Sequence, residues 1–394
     1  MNYDKYLNSR IASVPPSGIR RFFDMASSMT DAISLGVGEP DFKTPYQIRD
    51  AAINSLVDGE TQYTANRGLP ELREEIALYL SGRCNLSYRP DKEILVTIGA
   101  SEAIDIALRA LVSPGDEVVI PDPSYVSYAP GVIFAGGQPV PVTTKQENDF
   151  RLMADDLENV ITSRTRLLIL PYPNNPTGAI MEKKDLEEIA RVVEKHDLFV
   201  ISDEIYSELV YDGHTHVSFA SIDGMYPRTV TINGFSKAFA MTGWRVGYAC
   251  CSEEVISVMN KIHQYAIMCA PRQGQVAAIA ALRLGRENGY ESVAVMRDSY
   301  DRRRRLMVTS FRKMGLECFE PYGAFYAFPS IRCTGLSSEE FCAGLLREKK
   351  VAAVPGNAFG SSGEGHIRCC YATAIDKINI ALERMAEYIA SLAL

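Results

Sequence analysis

The sequence contains no apolar run approaching the ~20 residues that a membrane-spanning helix needs, and its N-terminus lacks the continuous apolar core of a secretion signal. It also lacks an excess of basic residues, because 41 Lys and Arg stand against 49 Asp and Glu and leave a net charge of −8. Low-complexity segments and internal repeats are missing, and the 28 Gly and 20 Pro are scattered. We therefore expect a globular chain with neither nucleic acid nor a membrane as its partner.

The nine cysteines include no C-x-x-C spacing, and four of them form the adjacent pairs Cys250–Cys251 and Cys369–Cys370. Neighbouring cysteines form disulfides poorly, and an odd number leaves at least one thiol unpaired. Reduced thiols are typical of a reducing compartment, so the sequence predicts a cytoplasmic protein.

A chain of 394 residues is longer than one ordinary hydrophobic core supports, which favours two domains. In its middle, short β-branched runs alternate with longer amphipathic stretches. This α/β pattern is typical of a mostly parallel sheet covered by helices on both faces. The predicted strands are Glu93–Thr97, Glu117–Ile120, Arg166–Pro171, Leu198–Ser202, Thr229–Ile232 and Val246–Cys250, with helices over Ser101–Val112 and Lys183–His196.

The C-terminal part has a different pattern. Residues 275–313 are predicted to be helical, and the charged run Asp301–Arg305 is interpreted as a solvated helix face. Strands are predicted at Gly323–Pro329 and Val351–Val354, followed by a last helix from Ile375. These elements indicate a smaller α+β domain, formed by residues 1–42 and 286–394, beside a large domain of residues 43–285.

Polar residues follow five of the predicted strands, each directly after its carboxyl end. In an open α/β sheet, ligands bind where these ends and their loops converge. We therefore expect the five loops to form one site. The loops are Gly99–Ser101, Pro121–Tyr125, Asn174–Gly178, Asp203–Tyr206 and Asn233–Lys237.

The first loop offers the backbone N–H groups of Ala100 and Ser101, and the Ser101 hydroxyl, at the start of a helix. Such a helix start suits a phosphate group. Ser236 and Arg245 would add a hydroxyl and a planar cation to the same anion. Taken alone, Gly99–Ser101 is better explained as a simple helix cap, and only the other loops favour the phosphate.

Two ionisable residues stand where burial is expected. Asp203 ends an apolar strand, where a carboxylate needs a cation, either a protonated pyridine nitrogen or a nearby arginine. Lys237 follows another buried strand, and desolvation there would lower its pKa and make it a nucleophile toward an aldehyde. An exposed loop lysine is the alternative interpretation of Lys237.

Tyr125 adds an aromatic plate to this set, and Asn175 and Tyr206 add donors for a ring oxygen. Together the groups describe a phosphorylated aldehyde of pyridine. The sequence thus predicts pyridoxal phosphate, whose ring takes up electrons from a substrate carbanion. No metal is expected, because the H-x-H pair His214 and His216 has no third ligand cluster.

Six stretches over nearly the whole chain carry a family resemblance: SLGVGEPDF (34–42), YTANRGLPELREEIA (63–77), NNPTG (174–178), SDEIY (202–206), NGFSKAFAMTGWRVGY (233–248) and HIRCCYA (366–372). In order and spacing they resemble the fold-type I aminotransferases of the class I/II family. The resemblance implies ping-pong transfer of an amino group between an L-amino acid and a 2-oxo acid such as 2-oxoglutarate.

The resemblance also implies a role for each matching residue. Lys237 would hold the cofactor aldehyde and then move the substrate proton, while Asp203 would keep the pyridine nitrogen protonated. Tyr63 would reach the phosphate of the other subunit, which implies a homodimer with shared sites. The other implied contacts are Tyr206 and Asn175 with the ring oxygen, Tyr125 with the ring face, Ala100, Ser101, Ser236 and Arg245 with the phosphate, and Arg368, Gly38 and Asn175 with the substrate carboxylate.

Two positions depart from the family pattern. Gly234 replaces a serine that many relatives place three residues before the lysine, so one phosphate hydroxyl is missing. Glu102 stands where some aspartate-specific relatives have a lysine for the substrate side-chain carboxylate, and residues 263–270 contain no arginine. The overall pattern is similar to aromatic or broad-range members and to N-acetyl-diaminopimelate-type members. Ile19 would give an apolar wall for aromatic donors, whereas Arg20 keeps aspartate open as the alternative substrate.

Two further functions remain open. A carbon–sulfur β-lyase acting on cystathionine-like substrates would use the same proton transfer by Lys237. A non-catalytic, cofactor-sensing regulator would need an added DNA-binding segment and a basic face. We expect neither of those features, because the sequence begins with the segment that would cover the substrate.

Overall fold

The computed structural model describes residues 1, 3, 5–16, 18, 29 and 31–392. Its strands are short, and most of them belong to one sheet. The strands are β1 (Ile33–Ser34), β2 (Ile94–Thr97), β3 (Glu117–Asp122), β4 (Gln138–Thr143), β5 (Thr165–Leu170), β6 (Phe199–Asp203), β7 (Thr229–Gly234), β8 (Gly247–Cys250), β9 (Tyr326–Ala327), β10 (Val351–Ala352), β11 (Val354–Pro355) and β12 (Ile367–Cys370).

The main sheet has seven strands in the order β2-β8-β7-β6-β5-β3-β4. Strand β8 runs antiparallel to β2 and β7, and the other neighbouring pairs are parallel. Strands β2, β3, β7 and β8 are buried along their whole length, as expected for a sheet with helices on both faces. The predicted α/β architecture is therefore confirmed.

Helices cover the sheet and build most of the C-terminal part. The α-helices are Ser9–Ala12, Tyr46–Val57, Pro70–Cys84, Gly99–Leu111, Tyr128–Ala135, Ala154–Val160, Lys183–Lys195, Glu253–Ala266, Arg272–Asn288, Glu291–Lys313, Ser338–Lys349 and Ile375–Ser391. Within the described residues, none of them combines the length and apolarity needed to span a bilayer.

Two small sheets join the N-terminal segment to the C-terminal part. Strand β1 pairs parallel with β10, where Ile33 is opposite Val351. Strands β11, β12 and β9 form an antiparallel sheet with β12 at its centre. Residues from these strands share one apolar core with the helices Glu291–Lys313 and Ile375–Ser391.

Strand β4 was not predicted from the sequence QPVPVT, because its two prolines weaken a strand pattern. The strand lies at the edge of the sheet and pairs only with β3, from Glu117 opposite Gln138 onward. An edge strand tolerates proline, since one side of its backbone has no ladder to maintain.

The helical stretch predicted over residues 275–313 is divided into two helices at Gly289, which has φ +70°. The interpretation of Asp301–Arg305 as a solvated face holds for Arg302 and Arg305, which are exposed, and is wrong for two other residues of the run. Arg304 is completely buried, and Arg303 is 9% exposed. Arg304 is enclosed by carboxylates, among them Asp212 and Glu320, which compensate the buried charge.

Candidate functional site

Lys237 lies three residues after β7 and points its amine into a cleft beside the loop of Gly38. The Lys237 Nζ donates a hydrogen bond to the Gly38 carbonyl oxygen at 2.6 Å and lies 5.8 Å from the centre of the Tyr206 ring. Part of the side chain is reachable from the cleft, but protein atoms surround the amine. This burial lowers the pKa of Lys237 to about 8, and the positive charges of Arg368 and Arg245 act in the same direction. The amine is thus far more often neutral near pH 7 than that of an ordinary lysine.

Asp203 is the last residue of β6 and is buried. Its Oδ2 accepts a hydrogen bond from the Tyr128 hydroxyl at 2.8 Å, and its Oδ1 accepts one from the backbone N–H of Ile205 at 3.2 Å. Burial raises the pKa of Asp203 to about 6. Both of these hydrogen-bond donors are neutral. The arginine considered above as a partner of Asp203 is not among its contacts in the described residues. The carboxylate therefore suits an incoming cation.

Tyr125 packs against Tyr128, the residue whose hydroxyl donates to the Asp203 carboxylate. The ring centres of Tyr125 and Tyr128 are 5.6 Å apart in an edge arrangement, and Tyr128 starts the helix Tyr128–Ala135. Tyr125 is half-buried, which leaves part of its ring available to a ligand. An aromatic ring and a buried carboxylate thus occupy one corner of the cleft.

The helix Gly99–Leu111 starts against Arg245 and β8. A Cβ at Gly99, which has φ +69°, would lie 2.6 Å from the Arg245 NH2 atom. A Cβ at Gly247 would lie 2.5 Å from the backbone nitrogen of Ala100. The two glycines therefore allow a close approach of a guanidinium group to a helix start. The first N–H groups of a helix have no acceptor within it, so this corner is suited to an anion.

Two serine hydroxyls belong to the same set. Ser101 is exposed in the first turn of this helix, and Ser236 is 7% exposed beside Lys237. Within the described part of the chain, neither hydroxyl makes a hydrogen bond, so both are available to a ligand.

The glycine at position 234 has a packing reason. A Cβ added to Gly234 would lie 2.9 Å from the Gly247 Cα and 3.0 Å from the Val246 carbonyl oxygen. A serine at position 234 would push β7 and β8 apart. The tight packing of these two strands therefore explains why this chain has a glycine where many relatives have a serine.

Arg368 extends from β12 and is 3% exposed. Its guanidinium donates to the Asn175 Oδ1 at 2.8 Å and to the Gly36 carbonyl oxygen at 2.5 Å. The guanidinium carbon lies 4.4 Å from the centre of the Tyr326 ring and 4.7 Å from that of Phe359. No carboxylate is among these partners, and the buried Nε has no hydrogen-bond partner within the described residues. A rigidly held, uncompensated guanidinium suits a carboxylate.

Tyr206, Tyr326 and Gly38 form the wall between Lys237 and Arg368. The hydroxyls of Tyr206 and Tyr326 are 2.8 Å apart, and burial raises the pKa of Tyr206 well above its ordinary value. A Cβ on Gly38 would lie only 2.4 Å from the Tyr326 hydroxyl oxygen. Any larger residue at position 38 would therefore displace Tyr326 from the face of Arg368.

Tyr63 is the one predicted site residue that stands apart in the described structure. It is 77% exposed, on the loop between the helices Tyr46–Val57 and Pro70–Cys84. The specificity candidates Ile19 and Arg20 lie outside the described residues. His216 is engaged with Glu204 at 3.0 Å, and the described residues hold no group of three His, Cys, Asp or Glu side chains arranged for a metal.

Three aromatic residues of the site were missed from the sequence: Tyr128, Tyr326 and Phe359. Tyr128 follows Tyr125 by three residues and begins the next helix, and this short spacing is the only local signal that the two rings lie near each other. Tyr326 lies in the predicted strand Gly323–Pro329, but its contact with Arg368 depends on pairing between β9 and β12. No local signal in the sequence identifies Phe359.

The cleft can therefore bind several groups at once. Its donors and charges suit a phosphate, a protonated ring nitrogen, an aromatic face and a carboxylate, and its amine is a nucleophile. This set allows condensation with a carbonyl group and proton transfer to and from a neighbouring carbon.

Residues 30–385 match the family model described as aminotransferase class I and II. The chain is 52% identical, over 98% of its own length and 98% of the relative's, to the putative aminotransferase YugH of Bacillus subtilis. It is 50% identical to the aspartate aminotransferase of Pyrococcus abyssi, with 97% of each chain covered. The crystal structure of the aromatic aminotransferase from Pyrococcus horikoshii superposes with a TM-score of 0.90 at 48% identity, covering 94% of this chain and 99% of that one.

Proposed function

This chain belongs to the class I and II aminotransferase family, and from that premise we propose how its residues transfer an amino group. Enzymes of this family depend on pyridoxal phosphate and act on an amino acid and a 2-oxo acid. The protein is accordingly a pyridoxal-phosphate-dependent aminotransferase of fold type I.

The residues of the cleft fit this cofactor. The glycine at position 99 lets the Arg245 guanidinium approach the start of the helix Gly99–Leu111, and a guanidinium beside free helix N–H groups suits a phosphate. The carboxylate of Asp203 is buried without a cationic partner among the described residues, and a pyridinium nitrogen supplies one. The amine of Lys237 has a lowered pKa, as a group that condenses with an aldehyde requires.

We assign the contacts accordingly. Asp203 pairs with the ring nitrogen, Tyr125 stacks on the ring, and Asn175 and Tyr206 donate to the ring oxygen. The Asn175 Oδ1 is taken by Arg368, and this leaves its Nδ2 as the donor. The phosphate is held by Ala100, Ser101, Ser236 and Arg245.

When bound, the cofactor supplies an aldehyde for the amino group and a ring that withdraws electrons. Lys237 Nζ would take the proton from the substrate Cα and deliver it to the cofactor's C4′, the carbon that receives the amino group. Arg368 binds the α-carboxylate in a bidentate pair, with help from Asn175 and the backbone of Gly38. Tyr326 and Phe359 keep the guanidinium in one plane, so that the substrate Cα–H is directed toward Lys237.

The buried amine of Lys237 is the observation that carries this proposal. Replacing Lys237 by Ala should lower amino transfer from L-phenylalanine to 2-oxoglutarate by at least ~10²–10⁴-fold, because the proton carrier is lost. Lys183→Ala is the matched control, since Lys183 is an exposed lysine that pairs with Glu187. Full activity of the Lys237 variant would remove the proposal.

We propose an aromatic or broad-range amino donor. The two Glu102 oxygens are engaged by Ile98 and His263, and Arg272 is held by Glu60. Neither position therefore offers a free cation to a substrate side-chain carboxylate. The likeness to the Pyrococcus horikoshii aromatic aminotransferase points the same way. The likeness to the Pyrococcus abyssi aspartate aminotransferase favours aspartate as the second candidate.

A donor panel with 2-oxoglutarate distinguishes these two substrates. We expect kcat/KM for phenylalanine and tyrosine to equal or exceed the value for aspartate. A preference of about tenfold for aspartate, equivalent to ~1.4 kcal/mol, would instead favour the second candidate. Release of pyruvate from cystathionine faster than any amino transfer would show a β-lyase.

We propose a homodimer in which Tyr63 of each subunit completes the site of the other. Exposed apolar side chains occur on the segments next to the Tyr63 loop, and they include Tyr46, Val57 and Tyr265 at 64%, 78% and 87% exposure. The Tyr63 loop is tied to the segment after Tyr265, because the Asn66 Nδ2 donates to the Met268 carbonyl oxygen at 2.8 Å. Large apolar side chains exposed on neighbouring segments are typical of an interface between subunits.

We further propose a large domain of residues 43–285 and a small domain of residues 1–42 and 286–394. The strands of the main sheet all lie between residues 94 and 250, whereas the two small sheets use residues 33–34 and 326–370. A cytoplasmic location is our proposal as well, supported by nine cysteines that are all unpaired.

A further inference from the structure

Glu102 lies in the helix that starts the phosphate corner, yet both of its carboxylate oxygens are bound within the protein. Its Oε2 accepts a hydrogen bond from the backbone N–H of Ile98 at 2.5 Å. Its Oε1 lies 2.6 Å from the Nδ1 of His263, a residue of the helix Glu253–Ala266. Glu102 therefore connects the turn before one helix to the last turn of another.

His263 is an unusual partner because it is completely buried. We assign the hydrogen of this bond to the His263 Nδ1, because a carboxylate oxygen accepts hydrogen bonds from ring N–H groups. The second ring nitrogen, Nε2, is buried with no hydrogen-bond partner within the described residues. A buried imidazole with one unpaired nitrogen is costly, which indicates a role beyond filling space.

The turn held by this pair leads into the N–H groups of Ala100 and Ser101, which we assigned to the phosphate. The Thr97 hydroxyl donates to the Gly99 carbonyl oxygen at 2.9 Å, and Glu102 takes the Ile98 N–H. The Ile98 N–H is thus bound by the protein, whereas Ala100 and Ser101 lie in the first turn of the helix, where N–H groups have no acceptor within the helix. The hydrogen bond from the imidazole partly offsets the negative charge of Glu102. Without it, the carboxylate would repel an anion bound at the helix start.

We propose that Glu102 and His263 are positioning residues that orient the turn Thr97–Ser101 for the cofactor phosphate. This inference rests on the proposed function, since it assigns a phosphate to that turn. Glu102 acts through the backbone of the turn, and His263 acts through Glu102. The competing explanation is an ordinary helix cap that contributes to stability alone.

The test compares pyridoxal phosphate with pyridoxal, which lacks the phosphate, on the full-length apo-protein. Trp244 is the single tryptophan and directly precedes Arg245, so its fluorescence reports binding. We expect Glu102→Ala to weaken pyridoxal phosphate about tenfold or more and to leave pyridoxal affinity unchanged. Glu102→Gln preserves the shape of the side chain and one acceptor, so it should weaken pyridoxal phosphate binding less. It also replaces Glu102→Ala in the test if the alanine variant does not fold.

His263 variants test the second half of the pair. His263→Phe leaves the carboxylate without its partner, so it should weaken pyridoxal phosphate more than Glu102→Gln does. His263→Gln retains a donor for Glu102 and should restore part of the loss. Asp105→Asn is the matched control, because Asp105 lies on the same helix but forms an exposed pair with Arg109.

The outcomes distinguish the positioning role of Glu102 and His263 from the proposed function. Equal losses for pyridoxal phosphate and pyridoxal, or unchanged binding of both in all variants, overturn the positioning role and leave the proposed function intact. Failure of the unsubstituted protein to prefer pyridoxal phosphate over pyridoxal overturns the proposed function and this inference together.

Discussion

Lys237 and Asp203 are enclosed ionisable residues whose pKa values move toward each other, to about 8 and about 6. Burial is the main cause of both shifts, because it disfavours the charged form of an amine and of a carboxyl alike. The described part of the chain therefore holds a reactive amine and a carboxyl group whose hydrogen-bond partners are both neutral. Burial of these two groups is unfavourable in the free protein. A ligand that pairs with the amine and with the carboxylate offsets that cost.

The Lys237 pKa predicts a pH profile for cofactor uptake. The neutral amine is the reactive form, so the rate of absorbance change on mixing apo-protein with pyridoxal phosphate should rise from pH 6, reach half its maximum near pH 8 and level off above about pH 9. The Lys237→Ala variant should show no such change. A rate that keeps rising to pH 10 would mean that the amine titrates like an exposed lysine.

Asp203 predicts a stability difference in the apo-protein. Because its folded pKa of about 6 lies above the ordinary 3.8, its favourable contribution is present below about pH 4 and is lost as the pH rises through 6. Asp203→Asn should therefore make the apo-protein more stable than the parent at pH 8, by roughly 2–3 kcal/mol, and by less at pH 5. Urea unfolding at the two pH values measures this, and an equal effect at both would contradict the shift.

At the scale of elements, the sequence predicted the main sheet because its strands are continuous apolar runs with polar residues at their carboxyl ends. That rule placed Asp203, Asn175 and Lys237 in loops that the fold brings together. It could not identify Tyr326 and Phe359, whose positions beside Arg368 depend on packing between distant segments. The burial of Arg304 was missed for the same reason, since its partners Asp212 and Glu320 lie on other segments.

The contact between β8 and the start of the helix Gly99–Leu111 gives a prediction at this scale. Gly247→Ala would place a Cβ 2.5 Å from the Ala100 nitrogen, so the strand and the helix start must separate. We expect weaker binding of pyridoxal phosphate and a stability loss of about 1–3 kcal/mol. Gly243→Ala is the control, because nothing lies within 4 Å of a Cβ at Gly243. Equal behaviour of the two variants in fluorescence titration and urea unfolding would argue against this contact.

At the scale of the whole molecule, the described chain brings most of the predicted site residues together and leaves Tyr63 77% exposed. The family match explains this arrangement if two copies share their sites. The sequence could name Tyr63 only through resemblance, because no pattern within one chain specifies a residue of the other subunit. The substrate segment around Ile19 lies outside the described residues, so donor preference depends on the kinetic panel.

Shared sites predict recovery of activity when two defective variants are mixed. In a mixed dimer of Lys237→Ala and Tyr63→Ala, one site carries both defects and the other carries neither. Unfolding and refolding an equal mixture should therefore give about one quarter of the parental activity, since half of the dimers are mixed and each has one intact site. Activity no higher than the average of the two variants refolded separately would show that Tyr63 and Lys237 serve the same subunit.

The most direct measurement is the identity of the residue that binds the cofactor covalently. Purified protein incubated with pyridoxal phosphate should turn yellow, keep the colour through dialysis, and lose it on reduction with borohydride. Mass spectrometry of the digested, reduced protein should then find the cofactor mass on the peptide that contains Lys237. A colourless protein, or an adduct only on another lysine, would contradict the account.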